Sequence, residues 1–211
     1  KPAGLEVRYP NLLAYEAVRG LEQMSGCQPD NTVYIPFIRN AVGAADFTPG
    51  AMVNTQPEFD KWSDPNCSAV GTRAYSMALF TVMETGTQML ADSPTQYYKN
   101  AECTEFITKV PCTWDETRAL QAKFGEYLII AKRNGRKWFV AGICNGKENM
   151  RHFKIPLDFL SAGTHSMTIV TDGFNAGNQA MDYRLNKQEV TSSTVLDITM
   201  VRNGGFTAII E

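Results

Sequence analysis

The hydrophobic pattern of this chain changes period near Thr117, and that change constrains its fold more than any other feature. Downstream, short apolar runs are separated by turn residues. Residues 127–132 and 137–143 flank Arg133-Asn134-Gly135-Arg136, and Asn-Gly between two strand-like runs is a strong hairpin signal. Further strands are expected at 152–157, 166–171, 182–185, 195–201 and 206–210. Leu196, Ile198 and Met200 alternate with Asp197 and Thr199, the period of a half-buried strand. Seven short strands in this stretch predict an antiparallel β-sandwich over residues 111–211.

Upstream the pattern is α/β. Residues 12–15 and 32–38 read as short strands buried on both faces. Thr72 caps a helix in which Tyr75, Ala78, Leu79, Val82 and Met83 share one face, with Gly86 at its end. Ser93-Pro94 opens another helix, Ser as N-cap and Pro in the first turn. Strand, helix, strand, helix predicts a parallel sheet. Between Asp46 and Gly71 lies a long stretch with little periodicity, punctuated by Pro49, Gly50, Pro57 and Pro65, of the kind that carries function. A (β/α)8 TIM barrel takes about 250 residues. Residues 1–110 therefore read as the C-terminal slice of such a barrel, with the rest supplied by an N-terminal remainder of a longer polypeptide. Trp114 is expected to be buried at the junction.

Composition excludes several classes of partner. The 211 residues carry a formal charge of −2 and no Lys/Arg cluster, which argues against nucleic acid. No apolar run approaches the roughly 20 residues of a membrane-spanning helix. The five cysteines show no CxxC spacing, so a zinc site is not expected. His152 and His165 lie far apart in the β half and read as surface residues.

Two carboxylates stand out in the upstream half. Glu16 and Glu22 bracket Arg19-Gly20. In a strand they would lie about 20 Å apart, and on a helix about 240° apart around the axis. A strand ending near Glu16 with a loop folding back at Gly20 could bring them together, as metal binding or glycoside hydrolysis requires. Two solvated loop glutamates would give the same pattern. Asp46, Arg39 and Asn40 are candidate sugar-binding residues. An Asp46 turn cap, and pairing of Arg39 and Asn40 with Asp46, are the structural alternatives. Phe59 or Trp62 could stack on a sugar ring, or simply pack the loop.

Several ordered blocks then resemble one family. Lys1-Pro2-Ala3-Gly4, Tyr9-Pro10-Asn11-Leu12-Leu13 and Tyr15-Glu16-Ala17-Val18-Arg19-Gly20-Leu21-Glu22 look like the late catalytic-domain motif of glycoside hydrolase family 97. Pro36-Phe37-Ile38-Arg39-Asn40, Asp46-Phe47-Thr48-Pro49-Gly50, Asp92-Ser93-Pro94 and Pro111-Cys112-Thr113-Trp114-Asp115-Glu116-Thr117 continue the likeness. The resemblance implies hydrolysis of terminal α-glucosides or α-galactosides of oligosaccharides, and a periplasmic or secreted location. It implies that Glu22 is the general acid and that Glu16, with Glu22, holds a Ca²⁺ ion. The partner carboxylate, whose identity decides inversion or retention, would lie ahead of Lys1. The rival readings are a non-catalytic carbohydrate-binding module using Trp138 and Tyr183, and a structural fragment with no activity of its own.

Overall fold

The computed structural model describes residues 5–21, 28–59 and 68–211. Two short helices come first, α1 (Pro29–Thr32) and α2 (Ile35–Ile38). Next is a small parallel pair, β1 (Asn54–Thr55) with β2 (Ala69–Val70). Helices α3 (Arg73–Val82), α4 (Pro94–Lys99) and α5 (Ala101–Ile107) lead into the β half. That half contains β3 (Glu116–Lys123), β4 (Tyr127–Asn134), β5 (Lys137–Cys144), β6 (Met150–Pro156), β7 (His165–Asp172), β8 (Tyr183–Val190), β9 (Val195–Val201) and β10 (Gly205–Ile210).

The β half forms a sandwich. One antiparallel sheet has the order β3-β4-β5-β10-β7-β8, and the β6–β9 pair covers one of its faces. The expected hairpin joins β4 and β5, with Asn134 paired to Lys137. Gly135 carries a positive φ of 59° at the first loop position, which a two-residue turn of type II′ requires. The seven expected strands are present, with bounds shifted by a few residues. An eighth, β3, escaped the sequence reading because its residues are half-buried or exposed and carry no apolar alternation.

Alternation along each strand divides the side chains between two cores. Ile129, Ala131, Trp138, Val140, Phe206, Ala208 and Ile210 face the β6–β9 pair, together with Phe153, Ile155, Leu196, Ile198 and Met200. Leu128, Ile130, Ala141 and Ile143 face the opposite way, onto Tyr75, Ala78, Leu79, Val82 and Met83 of α3. Strands β5 and β10 are thus covered on both faces, which is why their sequences read as nearly continuous apolar runs.

Helix α3 begins as expected: Thr72 Oγ1 accepts from the Tyr75 N–H at 3.0 Å. It is more enclosed than its amphipathic pattern predicts, since every residue from Arg73 to Val82 is buried. Arg73 is accommodated by neutral acceptors. Its Nε donates to Asn54 Oδ1 at 2.6 Å, one terminal nitrogen donates to Asn100 Oδ1 at 3.0 Å, and the other donates to the Met52 carbonyl. Arg73→Met would strand those buried acceptors, so it is expected to cost about 2 kcal/mol. An unchanged urea midpoint would show that the guanidinium contributes nothing.

The upstream half departs from expectation in its strands. Residues 32–38 are not a strand; they fall in α1, α2 and the turn between them. Pro29 and Pro36 each occupy a first helical turn, where a missing N–H costs nothing, and this overrides the β-branched and aromatic composition of the run. Residues 12–15 supply only one parallel bridge, Tyr15 with Ala45. Among the described residues, therefore, parallel pairing is limited to that bridge and the β1–β2 pair. Trp114 is half-buried, its ring edge-on to Phe139 at 5.2 Å.

Candidate functional site

The Tyr15–Ala45 bridge organises the candidate site. Asp46 N–H donates to the Tyr15 carbonyl at 2.8 Å, and Leu21 N–H donates to the Thr48 carbonyl at 2.8 Å. Residues 15–21 and 45–48 thus run side by side, and each bridged residue is followed by a carboxylate, Glu16 on one segment and Asp46 on the other. The Glu16 side chain is half-buried and that of Asp46 is exposed. Directly after Glu16, Ala17 adopts a left-handed φ of 61°, a conformation that costs an L-residue about 1 kcal/mol. A cavity of about 400 Å³ opens beside this turn, lined in part by Ala17, Val18, Arg19, Tyr34 and Ile38.

Arg39 and Asn40 hold this geometry. Arg39 is buried, and its guanidinium donates to four carbonyls: Tyr15 at 2.8 Å, Glu16 at 3.2 Å, Gly43 at 3.0 Å and Ala44 at 3.0 Å. Asn40 clasps the backbone of Glu84, donating to its carbonyl at 2.8 Å and accepting from its N–H at 3.1 Å. The same Glu84 carbonyl accepts from Ala45 N–H at 2.8 Å. Both side chains hold backbone groups of these segments, and among the described residues their hydrogen-bond partners are carbonyls and one amide instead of the Asp46 carboxylate.

Glu22 and Trp62 lie outside the described residues. Phe59 is exposed. Among the described residues no three His, Cys, Asp or Glu side chains group as a metal site. Glu16 and Asp46 offer oxygen donors of the kind a hard cation takes, and Ca²⁺ needs six to eight.

Neither ring of the rival binding-module reading is a free platform. Trp138 is only 7 % exposed; Arg118 and Arg133 lie 5.3 and 5.9 Å from its ring centroid, and Phe159 packs at 4.7 Å. Tyr183 donates to Glu102 at 2.6 Å and stacks against Arg73 at 5.6 Å. His152 is exposed and pairs with Thr199 across the β6–β9 ladder.

Three polar features went unread in the sequence. Lys132 is buried and donates to Glu84 Oε2 at 3.0 Å, with Nζ 5.0 Å from the centre of the Trp114 ring. Burial holds its ammonium below the usual lysine range, against the opposing pull of the Glu84 charge. Its signal was available: Lys132 has the same strand parity as Leu128 and Ile130, and so faces α3. Asp172 is buried beneath Thr72, whose hydroxyl donates to it at 2.5 Å. Cys144 is enclosed as well, and burial pushes its thiol up to about 12, so it is inert at neutral pH.

Known proteins share this architecture. A glycoside hydrolase family 97 enzyme from Pseudoalteromonas sp. strain K8, solved with acarbose, superposes with a TM-score of 0.84 at 27% identity, covering 99% of this chain and 33% of that one. The family model "Glycosyl-hydrolase 97 C-terminal, oligomerisation" matches residues 113–211. The retaining alpha-galactosidase of Bacteroides thetaiotaomicron is 37% identical over 213 residues, 98% of this chain and 32% of the relative. A probable retaining alpha-galactosidase of Streptomyces bingchenggensis is 30% identical over 208 residues, 99% of this chain and 30% of the relative.

The fold is thus that of the C-terminal part of a sugar-cleaving enzyme. Residues 113–211 match the C-terminal domain of glycoside hydrolase family 97, and nearly the whole chain is similar to enzymes of that family. It spans about a third of the length of the relatives it matches.

Proposed function

We propose that this sequence is the C-terminal portion of an exported, calcium-dependent retaining α-glycosidase, whose N-terminal remainder completes a (β/α)8 barrel. The substrate is a terminal α-galactosyl or α-glucosyl unit of an oligosaccharide, with α-galactosides the first to test because two relatives are named for that activity. The observation that supports this reading is the Tyr15–Ala45 bridge, which sets the segments bearing Glu16 and Asp46 side by side.

The chemistry divides among this chain's own residues. Glu22 protonates the glycosidic oxygen as the bond breaks, which requires a carboxyl kept neutral until that moment. Glu16, with Glu22, would hold the Ca²⁺, and the ion would supply positive charge to sugar hydroxyls. Asp46 lies within reach of the same edge and accepts from a sugar hydroxyl. Arg39 and Asn40 keep the two backbones in register. In a retaining mechanism the second carboxylate, set about 5 Å from the acid, attacks the anomeric carbon; that residue belongs to the N-terminal remainder.

Calcium removal provides the test. Dialysis of the complete enzyme against a chelator is expected to abolish hydrolysis of nitrophenyl α-galactoside and α-glucoside, and added Ca²⁺ to restore it. Full activity after chelation, with no metal left by elemental analysis, would remove the ion from the mechanism.

A further inference from the structure

The β half reaches the carboxylate edge by two routes, although it contributes no residue to that edge. The first runs through the β3–β4 turn. Phe124 at its tip lies edge-on to Tyr34 at 5.1 Å and to Phe37 at 5.5 Å, the aromatic residues of α2 and the turn before it. Gly125 follows with a φ of 68°, and a Cβ there would come within 2.5 Å of the Tyr34 hydroxyl. Asn145, just past β5, braces the tip by donating to the Gly125 carbonyl at 2.7 Å. At the far end of α2, Arg39 grips the Tyr15 and Glu16 carbonyls. The second route runs from Lys132 of β4 to Glu84, and from the Glu84 backbone to Asn40 and Ala45.

Both routes end on the same bridge. Phe124 is well exposed, so its ring does not act by filling a core. A large apolar ring placed at a turn tip, against two rings of another segment, acts by fixing where that segment sits. We infer that Phe124 is a positioning residue: seated on Tyr34 and Phe37, it sets the α2–Arg39 clamp that aligns Glu16 with Asp46. The kinetic part of this inference rests on the proposed role of Glu16; the mechanical part does not.

Two readouts on the complete enzyme separate these parts. In Phe124→Ala, kcat is expected to fall about tenfold or more with little change in KM, because small displacements of positioned groups cost rate. Hydrogen exchange at the Asp46 amide, which bonds Tyr15, is expected to quicken about tenfold as the bridge loosens. Phe124→Trp keeps a ring at the tip and should restore both. Gly125→Ala should reproduce both by displacing Tyr34 without removing apolar surface. Phe159→Ala removes a ring from the opposite end of the sandwich; it should lower thermal stability while leaving kcat and Asp46 exchange unchanged. Unchanged Asp46 exchange in both Phe124→Ala and Gly125→Ala overturns the inference. So does an equal effect from Phe159→Ala. If Glu16→Gln leaves turnover intact, the carboxylate reading falls, and the exchange measurement alone decides the role of Phe124.

Discussion

Glu22→Gln in the complete enzyme is expected to lower kcat on an unactivated α-galactoside or α-glucoside disaccharide by about three orders of magnitude. A positioned general acid contributes a factor of about 10² to 10⁴. Glutamine matches the shape of the carboxyl but has no proton to give. The loss should depend on the leaving group. A nitrophenolate departs almost without protonation, so the variant should retain far more of its activity on aryl glycosides. Steady-state kinetics on one disaccharide and one aryl glycoside decide the matter. Equal losses on both would assign Glu22 a ligand or structural role instead of proton donation.

The second large effect is on stability, and it resides in Asp172. This carboxyl sits between Thr72 Oγ1 at 2.5 Å, Val201 N–H at 3.0 Å and Gly205 N–H at 3.2 Å, and so ties the start of α3 to β7, β9 and β10. Burial raises it to about 7, with the Asp182 charge adding slightly and the three hydrogen bonds opposing. The buried Cys144 thiol also feels its charge. Because the folded value lies above the unfolded one, Asp172 contributes fully below about pH 4, loses its contribution as the pH rises, and has none left above about pH 7. Between pH 5 and 8 the change amounts to about 3 kcal/mol. Asp172→Asn mimics the neutral acid and removes the titration. Urea unfolding of both proteins across that range should show wild type losing stability relative to the variant as the pH rises. Parallel curves would mean that Asp172 does not titrate there.

The β half was legible in sequence because one physical rule governs it. Alternating side chains face two cores, and Asn134-Gly135 marks the hairpin between the longest runs. Strand β3 was missed because Thr117, Arg118 and Ala119 lie at an edge where little is buried. The upstream half misled for the opposite reason. Residues 32–38 have strand-like composition, yet Pro29 and Pro36 start helical turns that close the Arg39 clamp. Of the candidate site, Glu16 and Asp46 were singled out from residue type and motif, but their proximity depends on a single bridge that no local pattern encodes. Arg39 and Asn40 were found for their polarity, and the structure turns that polarity inward. Phe124 gave no signal, since a lone aromatic residue in a hairpin turn gains meaning only from what it touches.

The two-sided covering of β5 and β10 also bears on how the protein melts. The family match begins at residue 113, but the face formed by Leu128, Ile130, Ala141 and Ile143 is closed by a helix that ends before it. Similarity between relatives and independence in folding therefore divide this chain at different places. Cutting at the first would leave a sheet with one oily side open to water. Helix and sheet share this buried face, so heat is expected to unfold them together.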